Sequence, residues 1–162
     1  MLGNLDIERV KWPKTSQITG GDIDVLARRH LWAVHKDYQH GTGHGVGHFL
    51  GVHEGPVGIS KYNKTIFEPN MIVTNEPGYY EAGKYGIRIE NILVVKQENE
   101  FLGFECLTLC PYDLNLIDEN LITKKDREYI NQYHTRVRET LAPLLKDDQQ
   151  TIDWLTHATR EI

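Results

Sequence analysis

Residues 71–75 read MIVTN and residues 86–96 read GIRIENILVVK, two runs rich in β-branched side chains with Glu76-Pro77-Gly78 and a tyrosine pair between them. Such side chains fit a pleated, half-buried surface and Pro77-Gly78 is a turn signal, so the pattern predicts two strands joined by a loop. Phe104 to Cys110 (FECLTLC) alternates similarly and predicts a third strand. Toward the N-terminus, glycine crowds the stretch from His40 to Gly58, which excludes a stable helix and predicts close backbone approaches. Earlier still, Ile23, Leu26, Ala27, Leu31 and Val34 recur at helical spacing from Asp22 to about Tyr38, with Asp22 placed as the N-cap. Beyond the strands, Thr123 heads a helical face of Ile130, Tyr133, Val137, Leu141 and Leu144. Asp147-Asp148 precede a shorter face of Ile152, Leu155 and Ala158. Helix, then strands, then helices is an α+β order rather than a regular βαβ alternation.

With 162 residues, 40% hydrophobic and 25% charged, the chain fits one globular domain and not a disordered or fibrous protein. Its longest aliphatic run, Ile92 to Val95, is far below the roughly 20 apolar residues of a membrane helix, so no membrane association is expected. Asp6, Glu8 and Arg9 stand where a secretory leader would be apolar, which predicts a cytoplasmic protein. A net charge of −5 offers no basic field for nucleic acid. Cys106 and Cys110, four apart on an extended segment, would lie about 13 Å apart, beyond disulfide reach. Reduced thiols are expected.

Six of the eight histidines fall between His30 and His53, densest in HGTGHGVGHFLGVHEGP (His40 to Pro56). His44 and His48 have the spacing of a helical zinc pair, but Gly43, Gly45 and Gly47 oppose a helix. On an extended segment, His40, His44 and His48 would share a face, subject to bulges at glycine. Glu76 ends an apolar strand, and Glu90 lies inside another, where a lone buried carboxylate costs several kcal/mol unless paired or bound to metal. Arg88, two residues before Glu90 on the same face, is the competing partner, so spacing leaves a metal ligand and an ion pair both open. One imidazole and two carboxylates form a hard N/O set suited to Mn, Co or Zn.

Together with IVTNEPGYYEAGKYGIRIEN (Ile72 to Asn91) and FECLTLCPYD (Phe104 to Asp113), the histidine motif resembles the Xaa-Pro aminopeptidases, or aminopeptidases P. These are grouped with prolidase, creatinase and methionine aminopeptidase in the pita-bread fold. The nine-position gap from His44 to His53 and the helical tail resemble the long cytosolic type. The resemblance implies a partial pita-bread fold, α+β, with an antiparallel curved sheet, flanking helices and a helical C-terminal extension. It implies residues 1–113 as the C-terminal part of the metallopeptidase domain and 114–162 as an extension packed on it.

By the same resemblance, His44 and Glu76 are metal ligands, Glu90 bridges two divalent cations, and Arg88 orients that bridging carboxylate. His40 lines the substrate pocket. His53 contacts the scissile peptide and assists proton transfer, so both are catalytic and substrate-binding candidates. The implied cofactors are two divalent cations, Mn first, with Zn or Co as substitutes. The implied substrate is a peptide with proline at its second position. His48 departs from the small residue expected there, and Tyr79 and Tyr80 read as pocket or core aromatics. The family also needs two aspartates and a further histidine from upstream sequence; Asp22 and Asp24 read instead as helix-capping residues. This chain is therefore expected to be the C-terminal part of a catalytic domain with an incomplete metal site, weak or inactive alone. It is expected to associate with itself or with the missing N-terminal half. A prolidase-like dipeptidase and a non-catalytic pita-bread module that binds peptides or proteins are the alternatives.

Overall fold

The Ile92 to Val95 run lies inside a four-stranded antiparallel sheet. The structure, a computed structural model, describes residues 1–49 and 51–162; Leu50, within the histidine motif, lies outside the described residues. In chain order the elements are α1 (Leu2–Arg9), β1 (Lys11–Pro13), α2 (Gly20–Trp32), β2 (Gly43–His44), β3 (Gly58–Ile59), β4 (Ile72–Asn75), β5 (Gly78–Glu81), β6 (Tyr85–Arg88), β7 (Asn91–Glu98), β8 (Phe101–Cys106), α3 (Lys124–Leu141) and α4 (Gln149–Ala158), with short 3₁₀ turns after β8 and α3. They fall into two compact units, Met1–Thr108 and Leu109–Ile162.

In the first unit the sheet order is β1-β8-β7-β4, and β2-β3 and β5-β6 form two small antiparallel ribbons. Leu93, Val94 and Val95 are all buried, so the middle of β7 is covered on both faces, as a continuous apolar run demands. Trp12, Phe67 and Phe104 meet with ring centroids 5.3 to 5.7 Å apart and tie β1 to β8 and to the loop before β4. α1 packs against α2, β4 and β8 and buries Leu5 and Ile7. A Cβ on Gly3 would lie 2.2 Å from Ala27 O, so only glycine permits this helix–helix approach. Neither α1 nor β1 carries a sequence pattern long enough to have been read.

The structure corrects several local expectations. The helix expected to reach Tyr38 ends at Trp32, because His35 turns left-handed (φ 57°) and Lys36 N–H closes back on Leu31 O at 2.9 Å. Its N-cap is Thr19, with the Asp22 carboxylate accepting from the Thr19 N–H and hydroxyl, each at 2.7 Å. Asp24 is not a cap at all but a buried ion-pair partner. The single strand expected over Gly86 to Lys96 is two. β6 pairs with β5, β7 pairs with β4 and β8, and the chain changes partner at Ile89-Glu90. The loop expected at Pro77-Gly78 accordingly runs straight into β5. Cys106 ends β8 and is buried, Cys110 is exposed, and neither forms a disulfide among the described residues.

In the second unit Thr123 caps α3, accepting from Asp126 N–H at 3.2 Å, and Ile130, Tyr133 and Val137 form its buried face. Leu144 falls in the following 3₁₀ turn, exposed. Asp148 caps α4, and Leu155 is buried. His134, wholly buried, accepts from Tyr112 N–H at Nε2 (3.0 Å) and faces Arg160 O with Nδ1 at 3.5 Å. Burial pushes this imidazole below its ordinary value, against the opposing pull of the Arg160 carbonyl. A depressed folded pKa means that the unfolded chain binds the extra proton. The contribution is therefore complete above the unfolded value near 6.5 and is lost as pH falls from there toward the folded value. Urea denaturation is expected to show the second unit losing stability as pH falls below about 6.5, a loss that His134→Gln removes because its amide oxygen can accept from Tyr112 without titrating. An equal slope in both proteins would count against it.

Candidate metal centre

The glycine-rich segment reaches its place by lying against β4. A Cβ on Gly43 would sit 1.8 Å from Thr74 O, so glycine is what allows β2 so close to that strand. Gly45 bridges to Val73, and Glu76 N–H donates to Thr42 O at 2.7 Å. These bonds bring His44 beside Glu76. The change of partner at Ile89-Glu90 brings in the third group: donor atoms of His44, Glu76 and Glu90 all lie within 4.8 Å of one another. Among the described residues this is the one such cluster of three or more histidine, cysteine or acidic side chains. His44 and Glu76 are half-buried, whereas Glu90 is exposed, so the strand-interior burial expected for Glu90 does not occur.

Hydrogen bonding fixes the imidazoles. His44 Nδ1 faces Gly45 O at 2.9 Å, and a carbonyl only accepts, so Nδ1 carries the proton. In the neutral ring the Nε2 lone pair then faces Glu76 Oε1 at 3.2 Å. Two electron-rich atoms at that distance need a proton or a cation between them. Thr74 supports both residues, its hydroxyl accepting from His44 N–H (3.0 Å) and donating to Glu76 Oε1 (3.2 Å). A histidine whose second nitrogen is tied to a backbone carbonyl beside an oriented carboxylate is the ordinary arrangement of a metal ligand.

Arg88 Nε donates to the Tyr80 hydroxyl at 2.9 Å and lies 3.8 Å from Glu76 Oε2. Its ion-pair partner is thus Glu76, with the Glu90 charge a weaker influence on the same guanidinium. Tyr80 OH in turn lies 2.8 Å from His40 Nε2, while His40 Nδ1 donates to Gly41 O at 2.8 Å. The direction of the chain follows: Arg88 to Tyr80, Tyr80 to His40, His40 to the backbone. Tyr80 therefore does more than fill a pocket. His53 is exposed, its ring 4.2 Å from that of His44. His48 and His35 are exposed, His30 pairs with Asp6 at 2.6 Å, and His134 and His157 belong to the second unit.

Arg28 is the supporting residue that sequence reading missed. Its Nε donates to Asp24 (2.8 Å), Nη1 to Asp37 (2.9 Å) and Tyr38 O (2.8 Å), and Nη2 to His40 O (2.8 Å). The guanidinium lies 4.0 Å from the centre of the Tyr38 ring. Thr42 donates to the other Asp24 oxygen and receives the Tyr38 hydroxyl. Burial pushes the Tyr38 phenol up to about 12, the Thr42 bond and Arg28 pulling the other way, so it stays a donor. One side chain thus fixes residues 37–42, which carry His40 and lead into His44. The available signal was an acid and a base four apart on the Ala27 face of α2.

A mixed nitrogen and carboxylate donor set, backed by oriented partners, defines a candidate metal-binding site. Residues 7–97 match metallopeptidase family M24 and residues 100–162 match the C-terminal region of peptidase M24. The chain belongs to metallopeptidase family M24. It is 46% identical to a probable Xaa-Pro aminopeptidase P of Coprinopsis cinerea, with all of this chain matching 28% of that protein. Among solved structures it resembles an X-prolyl aminopeptidase from Caenorhabditis elegans, described as a cytosolic enzyme with a di-nuclear active site (TM-score 0.92, 37% identity, 99% of this chain, 27% of that one). A Xaa-Pro dipeptidase from Bacillus anthracis matches less of it (TM-score 0.57, 35% identity, 69% of this chain, 29% of that one). The chain spans just over a quarter of the length of the relatives it matches. The pita-bread fold is that of this family, and the α+β architecture agrees with it. No helix among the described residues is long and apolar enough to cross a membrane.

Proposed function

We propose that this chain contributes to the catalytic region of a dinuclear-metal aminopeptidase that releases the N-terminal residue before proline. The observation that carries the reading is the convergence of His44, Glu76 and Glu90 donor atoms within 4.8 Å, with His44 Nε2 3.2 Å from a Glu76 oxygen. That donor set fits a hard divalent cation, Mn before Zn or Co. Such ions, when bound, polarise the scissile carbonyl and lower the pKa of water. In this reading His44 and Glu76 hold one side of the centre and Glu90 bridges. Arg88 steadies Glu76. His53, exposed beside His44, hydrogen-bonds the substrate and moves a proton, and His40, tied through Tyr80, lines the pocket. Residues 1–113 serve as the C-terminal part of the metallopeptidase domain and 114–162 as its extension. The protein acts in the cytoplasm and associates with itself or with a further segment that completes the site.

The test is Mn²⁺ titration followed by electron paramagnetic resonance, with an Xaa-Pro-Xaa tripeptide and an Xaa-Pro dipeptide offered in parallel and analysed by chromatography. Saturable Mn²⁺ binding is the expected result, with weak or no release of the tripeptide's first residue by this chain alone. Cleavage of the dipeptide alone would give the prolidase-like reading instead. Saturable binding without turnover would assign turnover to donors beyond these three, and no saturable binding would overturn the metal reading.

A further inference from the structure

Behind the two carboxylates lies a buried polar cluster that the proposed chemistry does not use. Asn4 and Glu8, one turn apart on α1, meet Asn75 at the end of β4 and Asn91 at the start of β7, and all four are at most 5% exposed. Asn4 Nδ2 donates to Ile89 O at 2.7 Å and to Asn75 O at 3.4 Å. Asn75 Nδ2 donates to Asn4 O at 3.1 Å and to Glu8 Oε1 at 3.4 Å, and Asn91 Nδ2 donates to the same Glu8 oxygen at 2.8 Å. Asn75 and Asn91 are also partners on the last rung of the β4–β7 ladder. Asn75 immediately precedes Glu76, and Ile89 and Asn91 flank Glu90. Side chains of successive extended residues point to opposite faces, so asparagines turned toward α1 turn their glutamate neighbours the other way.

We propose that Asn4 and Glu8 are positioning residues: from α1 they hold the backbones that carry Glu76 and Glu90 at the separation a bound divalent cation requires. The inference rests on the metal reading above. Stability alone is a poor account of the cluster. Asn4 Oδ1 and Asn75 Oδ1 are buried acceptors without a hydrogen-bond partner, and such groups each cost about 1–3 kcal/mol. A buried carboxylate adds its own desolvation. Apolar side chains of similar volume would pack α1 on the sheet with less penalty. What they lack is direction. Ile89 stands where the chain leaves one strand pairing before entering another, and its carbonyl is held by the Asn4 amide. The Glu8 carboxylate, accepting from Asn75 and Asn91 together, fixes both strand ends from one point.

The experiment measures two things on Glu8→Ala, Asn4→Leu and Glu8→Gln, each first checked for folding by circular dichroism. One is Mn²⁺ affinity by electron paramagnetic resonance, with Glu90→Ala as the control for the metal site itself. The other, free of metal, is amide hydrogen exchange at Glu76, whose N–H is bonded to Thr42 O, against Val95, whose N–H is bonded to Met71 O. Glu8→Ala and Asn4→Leu are each expected to weaken Mn²⁺ binding about tenfold or more, the range for residues that orient ligands. Each should speed exchange at Glu76 while leaving Val95 unchanged, and Glu8→Gln, which keeps the acceptor oxygen, should restore both. Unchanged affinity and exchange, or equal acceleration at both amides, would overturn the proposal by making the cluster ordinary packing. If the parent chain and Glu90→Ala both fail to bind Mn²⁺, the metal reading falls and the exchange measurement alone decides the positioning.

Discussion

Arg28→Met is expected to destabilise the first unit by about 3–5 kcal/mol, the range for removing one partner of a buried ion pair. The methionine keeps much of the aliphatic volume, so the loss is electrostatic. Asp24, with a side chain only 4% exposed, would be left as an uncompensated buried carboxylate. The carbonyls of Tyr38 and His40 would lose their donors in the same step. Such a loss approaches the whole margin of a small domain, commonly about 5–15 kcal/mol. The measurement is urea unfolding, with Asp24→Asn and the Arg28→Met/Asp24→Asn pair completing a double-mutant cycle. The double variant should be less unstable than the sum of the singles, because a neutral amide tolerates the missing guanidinium. A shift below about 1 kcal/mol for Arg28→Met would instead place this pair with exposed ion pairs, which contribute little.

Arg28 also marks where the sequence stopped being legible. Runs such as Ile92 to Val95 were readable as strand because their apolar continuity reports burial on both faces, and α3 was readable from Thr123 and its Ile130, Tyr133 and Val137 face. His44, Glu76 and Glu90 could be singled out because their residue types are chemically conspicuous against glycine and apolar neighbours. Two of the four hydrogen-bond partners of Arg28 are backbone carbonyls in an irregular loop, and any residue offers a carbonyl. Asn4 and Glu8 are harder still, since their partners lie 67 to 85 positions away and are brought near only by packing. The break at Ile89-Glu90 was hidden for the opposite reason. Alternation continues across it while the pairing partner changes, and periodicity reports which face a residue takes, not which strand it meets. The break put Arg88 beside Glu76 and left Glu90 in reach of His44.

That geometry gives Glu90→Gln effects of opposite sign with and without metal. Donor oxygens of Glu76 and Glu90 lie within 4.8 Å of each other, and Arg88, hydrogen-bonded to Tyr80, is the cation nearest Glu76. In a chelator the substitution removes like-charge repulsion, so thermal stability should hold or rise slightly, the gain kept small by the solvent around Glu90. With saturating Mn²⁺ the order reverses. A cation that binds only the folded chain raises its stability with the logarithm of its concentration relative to the dissociation constant. Losing a ligand should weaken binding by about 100-fold or more, beyond what orienting residues cost. The parent should therefore gain melting temperature on adding Mn²⁺ while Glu90→Gln gains little, and the curves should cross. If Arg88 and Glu76 were instead a plain surface ion pair with Glu90 a bystander, Mn²⁺ would move both proteins equally. Parallel curves would remove Glu90 from the ligand set, and a crossing would tie its exposed position to the ion it faces.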